Sequence, residues 1–495
     1  MLSRSLQITA CSILLAACAV GPVFKTPESP QTTSYSRELS KEQPLEQLNL
    51  VPNTDIPAQW WTLFESEALN ALIQQALNSN PGLEAAKARL RASKETLQAE
   101  TSSLLFPTVD ASTASSRQKI SGTAFGGRSN IFTLHNASVD VAYSVDIFGG
   151  GRRFLESIEA QVEFDSFQLE ATYLTLTSNI VTTAITEASL RAQLIATNEI
   201  ITAEEEQLQV AEQQFELGVI AKAELLSQRT AVARSRTQLP PLQKALAQSR
   251  HQQAILSGQH PGESELPEFD LESLHMPKDL PLTLPSTLTR QRPDVRAAEA
   301  LLHQASAQIG IATANLYPKI TLSGSYGSEA TKISDLFSGG SAVWNLGAGV
   351  LQPVFRGGEL RARRRVAVAS YEQAQAQYKE TVLLAFRHVA DVLLALQTDM
   401  DNLSLQKESK DLSTQTLQLV QLQFKEGAVS YLGLLNAQTQ YQQSRIAYIQ
   451  ARSALYADTA ALFQALGGGW WNRQEMNNPE TASGSNDISK TQVEK

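Results

Sequence analysis

The sequence contains only two cysteines, Cys11 and Cys18, and this scarcity excludes several kinds of site. Cys11 lies inside an apolar segment that we predict is removed as a signal peptide, which leaves Cys18 as the only cysteine of the mature protein. One thiol can form neither an intramolecular disulfide nor a thiolate zinc site. The six histidines are scattered and form no pair four residues apart. We therefore expect no metal site and no cofactor.

The chain also lacks a basic surplus, abundant aromatic residues and long apolar runs. Its net charge is -9 and its aromatic content is 6%, which argues against binding nucleic acid. No run of eighteen apolar residues occurs, so we expect no transmembrane helix. A mean hydropathy of -0.19 is in the range of water-soluble proteins.

Sequence motifs of enzymes are missing as well. Gly149-Gly150-Gly151 lacks the lysine and hydroxyl residue of a phosphate-binding loop. Ser116 and Lys119 have the spacing of a serine hydrolase motif, but its companion motifs are absent. We expect no catalytic residues, and a surface lipoprotein hydrolase is disfavoured.

The N-terminus has the pattern of an export signal. Residues 1–17 combine one charge, Arg4, with a short apolar stretch. The sequence Leu15-Ala16-Ala17-Cys18 resembles the lipobox of bacterial lipoproteins, which implies acylation of Cys18 and anchoring in a membrane. A plain signal peptide that happens to contain cysteine is the alternative. Residues 18–57 are polar and contain prolines, so we predict a lipid-anchored tether there.

The rest of the chain is duplicated. Four landmarks recur in the same order at an offset of about 210 residues, far beyond the period of solenoid repeats. The landmark pairs are Asn80-Pro81 and Arg292-Pro293, Phe106-Pro107 and Tyr317-Pro318, Phe148-Gly149 and Phe355-Arg356, and Phe215-Glu216-Leu217-Gly218 and Phe424-Lys425-Glu426-Gly427. We predict a first repeat at 58–260, a proline-rich linker at 261–291, a second repeat at 292–468 and a polar, disordered tail at 469–495.

Each repeat contains two segments with the alternation of strands. Residues 139–147 alternate strictly between apolar and polar side chains, and 344–350, 320–326 and the weaker 109–116 behave similarly. Nine residues is the length that a tilted strand needs to cross a bilayer. Such a strand in a membrane barrel turns its apolar face to lipid, so Asp140 and Asp146 on the polar face should line the lumen.

Four strands cannot close a membrane barrel, because known barrels begin at about eight strands. An unclosed edge is not tolerated in lipid. Other copies of the chain must therefore complete the sheet. Three copies would give about twelve strands, although the residues alone leave two or four copies open.

Very long helices follow the strands. Residues 153 to about 217 contain no proline and would span about 95 Å as one helix, and residues 360 to about 426 repeat the pattern. Each segment reaches a glycine suited to a helix end, Gly218 or Gly427. Return helices should then run to about residues 256 and 466, the first of them broken at Pro240-Pro241.

Together these features resemble the outer-membrane factor (TolC/OprM-type) family, in its lipoprotein branch. The resemblance also includes Val20-Gly21-Pro22, Trp60-Trp61 with Phe64, and Arg292-Pro293-Asp294-Val295. It implies an α+β membrane protein, a homotrimer with a 12-stranded barrel in the outer membrane and an α-helical barrel in the periplasm. It further implies a passive channel of a tripartite efflux pump, partnered by a periplasmic adaptor and an inner-membrane pump, in which the RND type is expected.

The resemblance also assigns roles to helical tips and to a gate. The tips would dock the adaptor through Gly218, Val219, Ala221, Gly427, Ala428 and Ser430. Family members often place acidic rings one to three turns before the tip. The second repeat offers Gln418 and Gln421 there instead. The first repeat offers an acidic run, 204–206 and 212, in which Glu205 and Glu212 are the gate candidates. A solvated helix face explains that run equally well.

The exported compound stays open. Drugs and other toxic small molecules are the first expectation, and a copper or silver efflux channel of the same architecture is the alternative. A lipid-anchored coiled-coil scaffold would explain the helices and Cys18. It would leave the alternating strands without a purpose.

Overall fold

The computed structural model describes residues 19–30, 32, 35, 50–52, 54–121, 123, 129–263, 265–277, 279–282 and 285–473. The predicted signal peptide, Cys18 and the tail beyond residue 473 lie outside the described residues. Two compact units are present. One contains Met1–Pro27, Ala88–Ser166 and Ala297–Glu380, and the other contains Glu28–Lys87, Phe167–Arg296 and Thr381–Lys495. Each unit takes segments from both repeats.

Helices and strands alternate in the order that the duplication predicts. The strands are β1 Leu50–Pro52, β2 Thr108–Ile120, β3 Asn130–Val145, β4 Leu280–Leu282, β5 Lys319–Ala330 and β6 Ala342–Leu351. The helices are α1 Glu67–Ser79, α2 Pro81–Leu105, α3 Gly150–Glu216, α4 Lys222–Arg236, α5 Leu239–Leu256, α6 Pro285–Gln291, α7 Pro293–Ala314, α8 Glu359–Lys425 and α9 Tyr431–Ala465. Short 3-10 turns occur at Trp60–Phe64, Ile333–Asp335 and Trp470–Asn472.

The first unit contains an antiparallel sheet in the order β2-β3-β5-β6. Its register keeps like residues on one face, since Val139 lies opposite Tyr326 and Tyr326 opposite Trp344. On the other face, Asp140 lies between Asp110 and Ser325. Trp344 is 72% exposed and Leu346 is 79% exposed. The sheet therefore presents an exposed apolar face and a polar face, as the alternation predicts.

Two details of the strands differ from the sequence prediction. Strand β3 has 16 residues and extends back to Asn130, because its first five residues pair with the end of β2. It also ends at Val145, so Asp146 and Ile147 lie beyond the strand. Among the described residues, the outer strands β2 and β6 each pair along one edge only.

The second unit has a core of aromatic and aliphatic side chains. Trp60, Trp61 and Phe64 are almost fully buried, and the Trp60 ring stacks on Phe463 with 5.2 Å between ring centroids. Strands β1 and β4 pair in parallel, so parts of the predicted tether and of the predicted linker form a small sheet together. The predicted linker also contains the helix α6.

The long helices match their predicted ends closely. Helices α3 and α8 each contain 67 residues. The return path of the first repeat is divided between α4 and α5 just before Pro240, because proline within a helix removes a backbone donor and clashes with the preceding turn. Its counterpart α9 is continuous over 35 residues.

Within the part of the chain that the structure describes, one helix is long and apolar enough to cross a membrane. It is α8, whose best 18-residue window has a mean hydropathy of 1.3 and is 33% buried. The lack of long apolar runs predicts no transmembrane helix, but a test of length and composition nevertheless selects α8. A helix packed inside a protein core passes the same test.

Candidate functional site

The two helix ends that carry the predicted docking residues have the same backbone geometry. Gly218 and Gly427 adopt left-handed φ angles of 70° and 72°. The Val219 N–H donates to the Gln214 carbonyl at 2.8 Å, and the Ala428 N–H donates to the Gln423 carbonyl at 2.8 Å. This bonding closes a helix over a residue at positive φ, which glycine adopts without a steric penalty. The duplication has preserved both turns.

The residues after each turn begin the return helices. Ala221 precedes α4 without a side-chain cap, whereas the Ser430 hydroxyl accepts from the Gly433 N–H at the start of α9. A Cβ at either turn glycine would meet nothing within 4 Å. Val219 is 68% exposed, and Ala428 is also exposed. The six predicted docking residues therefore lie at two open, mainly apolar turns.

The gate candidates are not gathered at one place. Glu205 pairs with Arg236 at 2.6 Å, and Glu212 pairs with Arg229 at 2.9 Å. Both pairs join α3 to α4 at the protein surface. Gln418 is exposed, while Gln421 borders a cavity of about 240 Å³. The acidic candidates thus hold a helical hairpin together within one chain.

Sequence reasoning passed over the most unusual residue of this acidic run. Glu204 is only 5% exposed and borders the same cavity as Gln421. Burial raises the pKa of its carboxyl, and a hydrogen bond from the Ser235 hydroxyl partly opposes this. The signal in the sequence is periodicity: Ala196, Ile200 and Glu204 are spaced by four and lie on one helical face, and the structure buries all three.

The predicted lumen residues of the sheet differ in setting. Asp140 lies on the polar face of β3 and accepts from the Ser112 and Ser138 hydroxyls at 3.2 and 2.9 Å. Asp146 is not on the strand, contrary to the alternation, because β3 ends one residue earlier. Its carboxylate accepts from the Arg152 backbone N–H at 2.9 Å, in the first turn of α3. Carboxylates are favoured there by the helix dipole.

Within the described part of the chain, no three His, Cys, Asp or Glu side chains come together as a metal site.

Comparison with known proteins adds the decisive observation. A family model described as "Outer membrane efflux protein" matches this chain twice, at residues 72–258 and 284–468. The chain belongs to the outer membrane efflux protein family. The two matches correspond to the two repeats, and they confirm the resemblance that the sequence motifs indicate.

Named relatives of this outer membrane efflux protein agree in length and architecture. The pyoverdine export outer membrane protein OpmQ of Pseudomonas aeruginosa is 31% identical over 83% of this chain and 87% of its own length. The toluene efflux pump outer membrane protein TtgC of Pseudomonas putida is 27% identical over 97% and 99%. The solved structure of the outer-membrane channel OprN covers 92% of this chain and all of its own, with a TM-score of 0.84 and 28% identity.

These likenesses confirm the predicted fold class and the broad function. This outer membrane efflux protein has the duplicated fold of outer-membrane channels, with membrane strands and long helices, and it serves efflux across the outer membrane.

Proposed function

We propose that this protein is the passive outer-membrane conduit of a tripartite efflux system and that three copies close one channel. The single observation that carries the proposal is a four-stranded sheet with one apolar face, one polar face and two outer edges. Such edges cannot persist in lipid, where every backbone polar group needs a partner. Three copies supply twelve strands, which is within the range of closed barrels.

The duplication specifies how neighbouring copies join. Strands β3 and β5 already pair the second sheet strand of the first repeat with the first sheet strand of the second repeat. The equivalent joint in a ring is β6 of one copy on β2 of the next. When the landmarks of the two repeats are aligned, Ala142 of β3 corresponds to Gly349 of β6, and Ser323 of β5 corresponds to Ser112 of β2. The observed pair Ala142–Ser323 therefore predicts the pair Gly349–Ser112 between copies. This register keeps both apolar faces on the same side, which the period of two requires.

Partners and cargo follow from the same architecture. The open turns at Gly218 and Gly427 supply docking surfaces for a periplasmic adaptor, whose inner-membrane pump of the RND type provides the energy. Small organic molecules are the cargo, in keeping with the toluene and pyoverdine named for the relatives. A gate near Gln418, Gln421, Glu205 and Glu212 closes the periplasmic end, Asp140 lines the barrel lumen, and acylation of Cys18 adds a lipid anchor.

Cysteine cross-linking tests the joint between copies. We expect the double variant Gly349→Cys, Ser112→Cys to give covalent trimers under mild oxidation in outer membranes. A Cβ at Gly349 approaches nothing closer than 3.9 Å, so the substitution fits the sheet. The cross-linked trimers should form ion-conducting channels in planar bilayers, since the lumen stays open.

The matched control moves one cysteine along the same face. Gly349→Cys with Ser116→Cys is four residues out of register, about 13 Å along a strand, and should remain monomeric on denaturing gels. Equal cross-linking of both variants would refute this register. Covalent trimers without conductance would refute the conduit.

A further inference from the structure

Four carboxylates of the long helix α3 are buried, and one of them differs from the rest. Asp165, Glu170, Glu187 and Glu204 are each at most 5% exposed. The first three pair with arginines: Arg89 at 2.7 Å, Arg473 at 3.1 Å, and both Arg191 and Arg250 at 2.9 Å. Glu204 has no ion pair within the described residues, and its hydrogen bond from the Ser235 hydroxyl supplies no counter-charge. A buried carboxylate without a counter-charge is costly.

Glu204 stands between two cavities of the same helical bundle. The smaller, of about 240 Å³, contains Gln421, Gln438 and Tyr441 in its wall. The larger, of about 570 Å³, lies among α3, α4 and α9. It is within the size range of small-molecule pockets. Its wall combines apolar residues with amide and hydroxyl residues, namely Leu226, Leu435, Ile446, Ser227, Thr230, Thr439, Gln442 and Gln450.

The chemistry of this wall selects the class of ligand. Among the described residues, Glu204 is the one carboxylate in the wall of the larger cavity. A divalent metal binds through several oxygens, so this wall supplies too few anionic ligands for one. An alkylammonium group instead donates hydrogen bonds to one carboxylate and needs only one counter-charge. An apolar stem would pack on Leu226, Leu435 and Ile446. We propose that the larger cavity binds a small amphipathic amine, with Glu204 as the counter-ion of its ammonium group.

The charged groups around the pocket permit this assignment. Arg234 lines the larger cavity, and Glu199, Tyr441 and Arg445 line the smaller one. Burial raises the pKa of the Tyr431 hydroxyl, and Glu204 is near enough for its charge to raise that pKa further. Arg445 is already paired with Glu199, and Arg234 is exposed to solvent, where water screens its charge. Neither arginine therefore neutralises Glu204.

The titration of Glu204 gives the binding a direction with pH. Burial raises the pKa of the carboxyl, so at low pH the group holds a proton and offers no charge to the ligand. An ammonium ligand must displace that proton. Affinity should therefore rise as the pH increases through the raised pKa, until the amine itself loses its proton. Binding should release protons to the buffer over that range.

Calorimetry with a defined probe tests the pocket. We expect 4-phenylbutylamine to bind the full-length protein saturably in non-ionic detergent at pH 7.5, and 4-phenylbutan-1-ol to bind much more weakly. Glu204→Gln keeps the size of the side chain and removes the charge, and it should weaken amine binding by about ten-fold or more. It should also remove the rise of amine affinity with increasing pH, measured by repeating the titration over a series of pH values.

Two further variants keep the test decisive. Glu206→Gln removes an exposed charge from the same helix and should leave amine affinity unchanged. Ala231→Phe fills the larger cavity without touching the carboxylate and should abolish binding. Circular dichroism establishes that each variant is folded. Equal affinity for the amine and the alcohol, or unchanged amine affinity in Glu204→Gln, would overturn the proposal.

Discussion

At the scale of single residues, the turn glycines are constrained by backbone geometry alone. Gly218 and Gly427 have positive φ angles and open surroundings, so contacts do not explain why glycine stands there. A side chain at such a φ angle costs about 1–3 kcal/mol locally. This cost is confined to the turn and does not affect the rest of the long helices.

We expect Gly427→Val to lower efflux without lowering insertion into the outer membrane. Valine resists the left-handed conformation because its branched Cβ crowds the backbone, so the turn would rearrange while the sheet is unaffected. Drug susceptibility of cells and the amount of protein in outer-membrane fractions measure the two effects.

Gly262→Val is the matched control, because Gly262 also has open surroundings but no left-handed φ. It should leave susceptibility unchanged. If Gly427→Val cells were as resistant as wild-type cells, the tip would have no role in docking.

At the scale of elements, the sequence predicted what depends on local pattern. The ends of α3 and α8 were predictable because glycine and the loss of helical periodicity mark them. The break before Pro240 was predictable from proline chemistry. The length of β3 was not predictable, since pairing with β2 extends the strand back to Asn130. Pairing of β1 with β4 joins residues some 230 positions apart, which no local pattern records.

The contacts of the candidate site residues could not be predicted for the same reason, because they join residues that are distant in the sequence. Glu205 and Glu212 stand out in the sequence as part of an acidic run, but their partners Arg236 and Arg229 lie on the following helix. Glu204 is adjacent to Glu205 in the chain and is buried, while Glu205 is paired at the surface. Only the packing of α3 against its neighbours separates these two glutamates.

These ion pairs make a prediction for the hairpin of α3 and α4. Replacing both Arg229 and Arg236 by glutamine should speed amide hydrogen exchange near Gly218 by about two- to thirty-fold, because exposed pairs contribute about 0.2–1 kcal/mol each. Salt at 1 M should have a similar effect on the wild-type protein.

The control for the hairpin is Arg234→Gln plus Arg290→Gln, which removes the same charge from two arginines outside these pairs. Mass spectrometry of peptides covering the hairpin gives the rates. Unchanged exchange in the Arg229 and Arg236 variant would mean that the pairs contribute nothing to holding the hairpin closed.

At the scale of the whole molecule, the two repeats do not fold as two domains. Each compact unit takes segments from both repeats, because each repeat supplies two strands to one sheet and helices to both units. Duplication therefore distributed each repeat over both units, and the pairing of β3 with β5 between the repeats is the pattern for the pairing between copies.

The segment that follows Cys18 makes its own contacts with the rest of the first unit. The Val20 N–H donates to the Phe148 carbonyl at 3.1 Å, and Phe24 stacks on His303 at 4.4 Å. Gly21 lies so close to Gly310 that a Cβ would approach its Cα atom to 2.5 Å. This close approach accounts for the glycine in the Val20-Gly21-Pro22 motif.

We therefore expect Cys18→Ser to lose acylation and to keep its assembly. For this test, the native signal peptide of the variant should be replaced by one that is cleaved without lipid attachment. Processing then does not depend on the cysteine. Labelled palmitate should be incorporated into the wild-type protein only. In the Gly349→Cys, Ser112→Cys background, both proteins should give covalent trimers in equal amount. Strand pairing joins the copies, and the contacts at Val20 and Phe24 keep the N-terminal segment in place. If the variant lost both acylation and covalent trimers, the lipid would be needed for assembly. If neither protein incorporated palmitate, the predicted lipid anchor at Cys18 would be refuted.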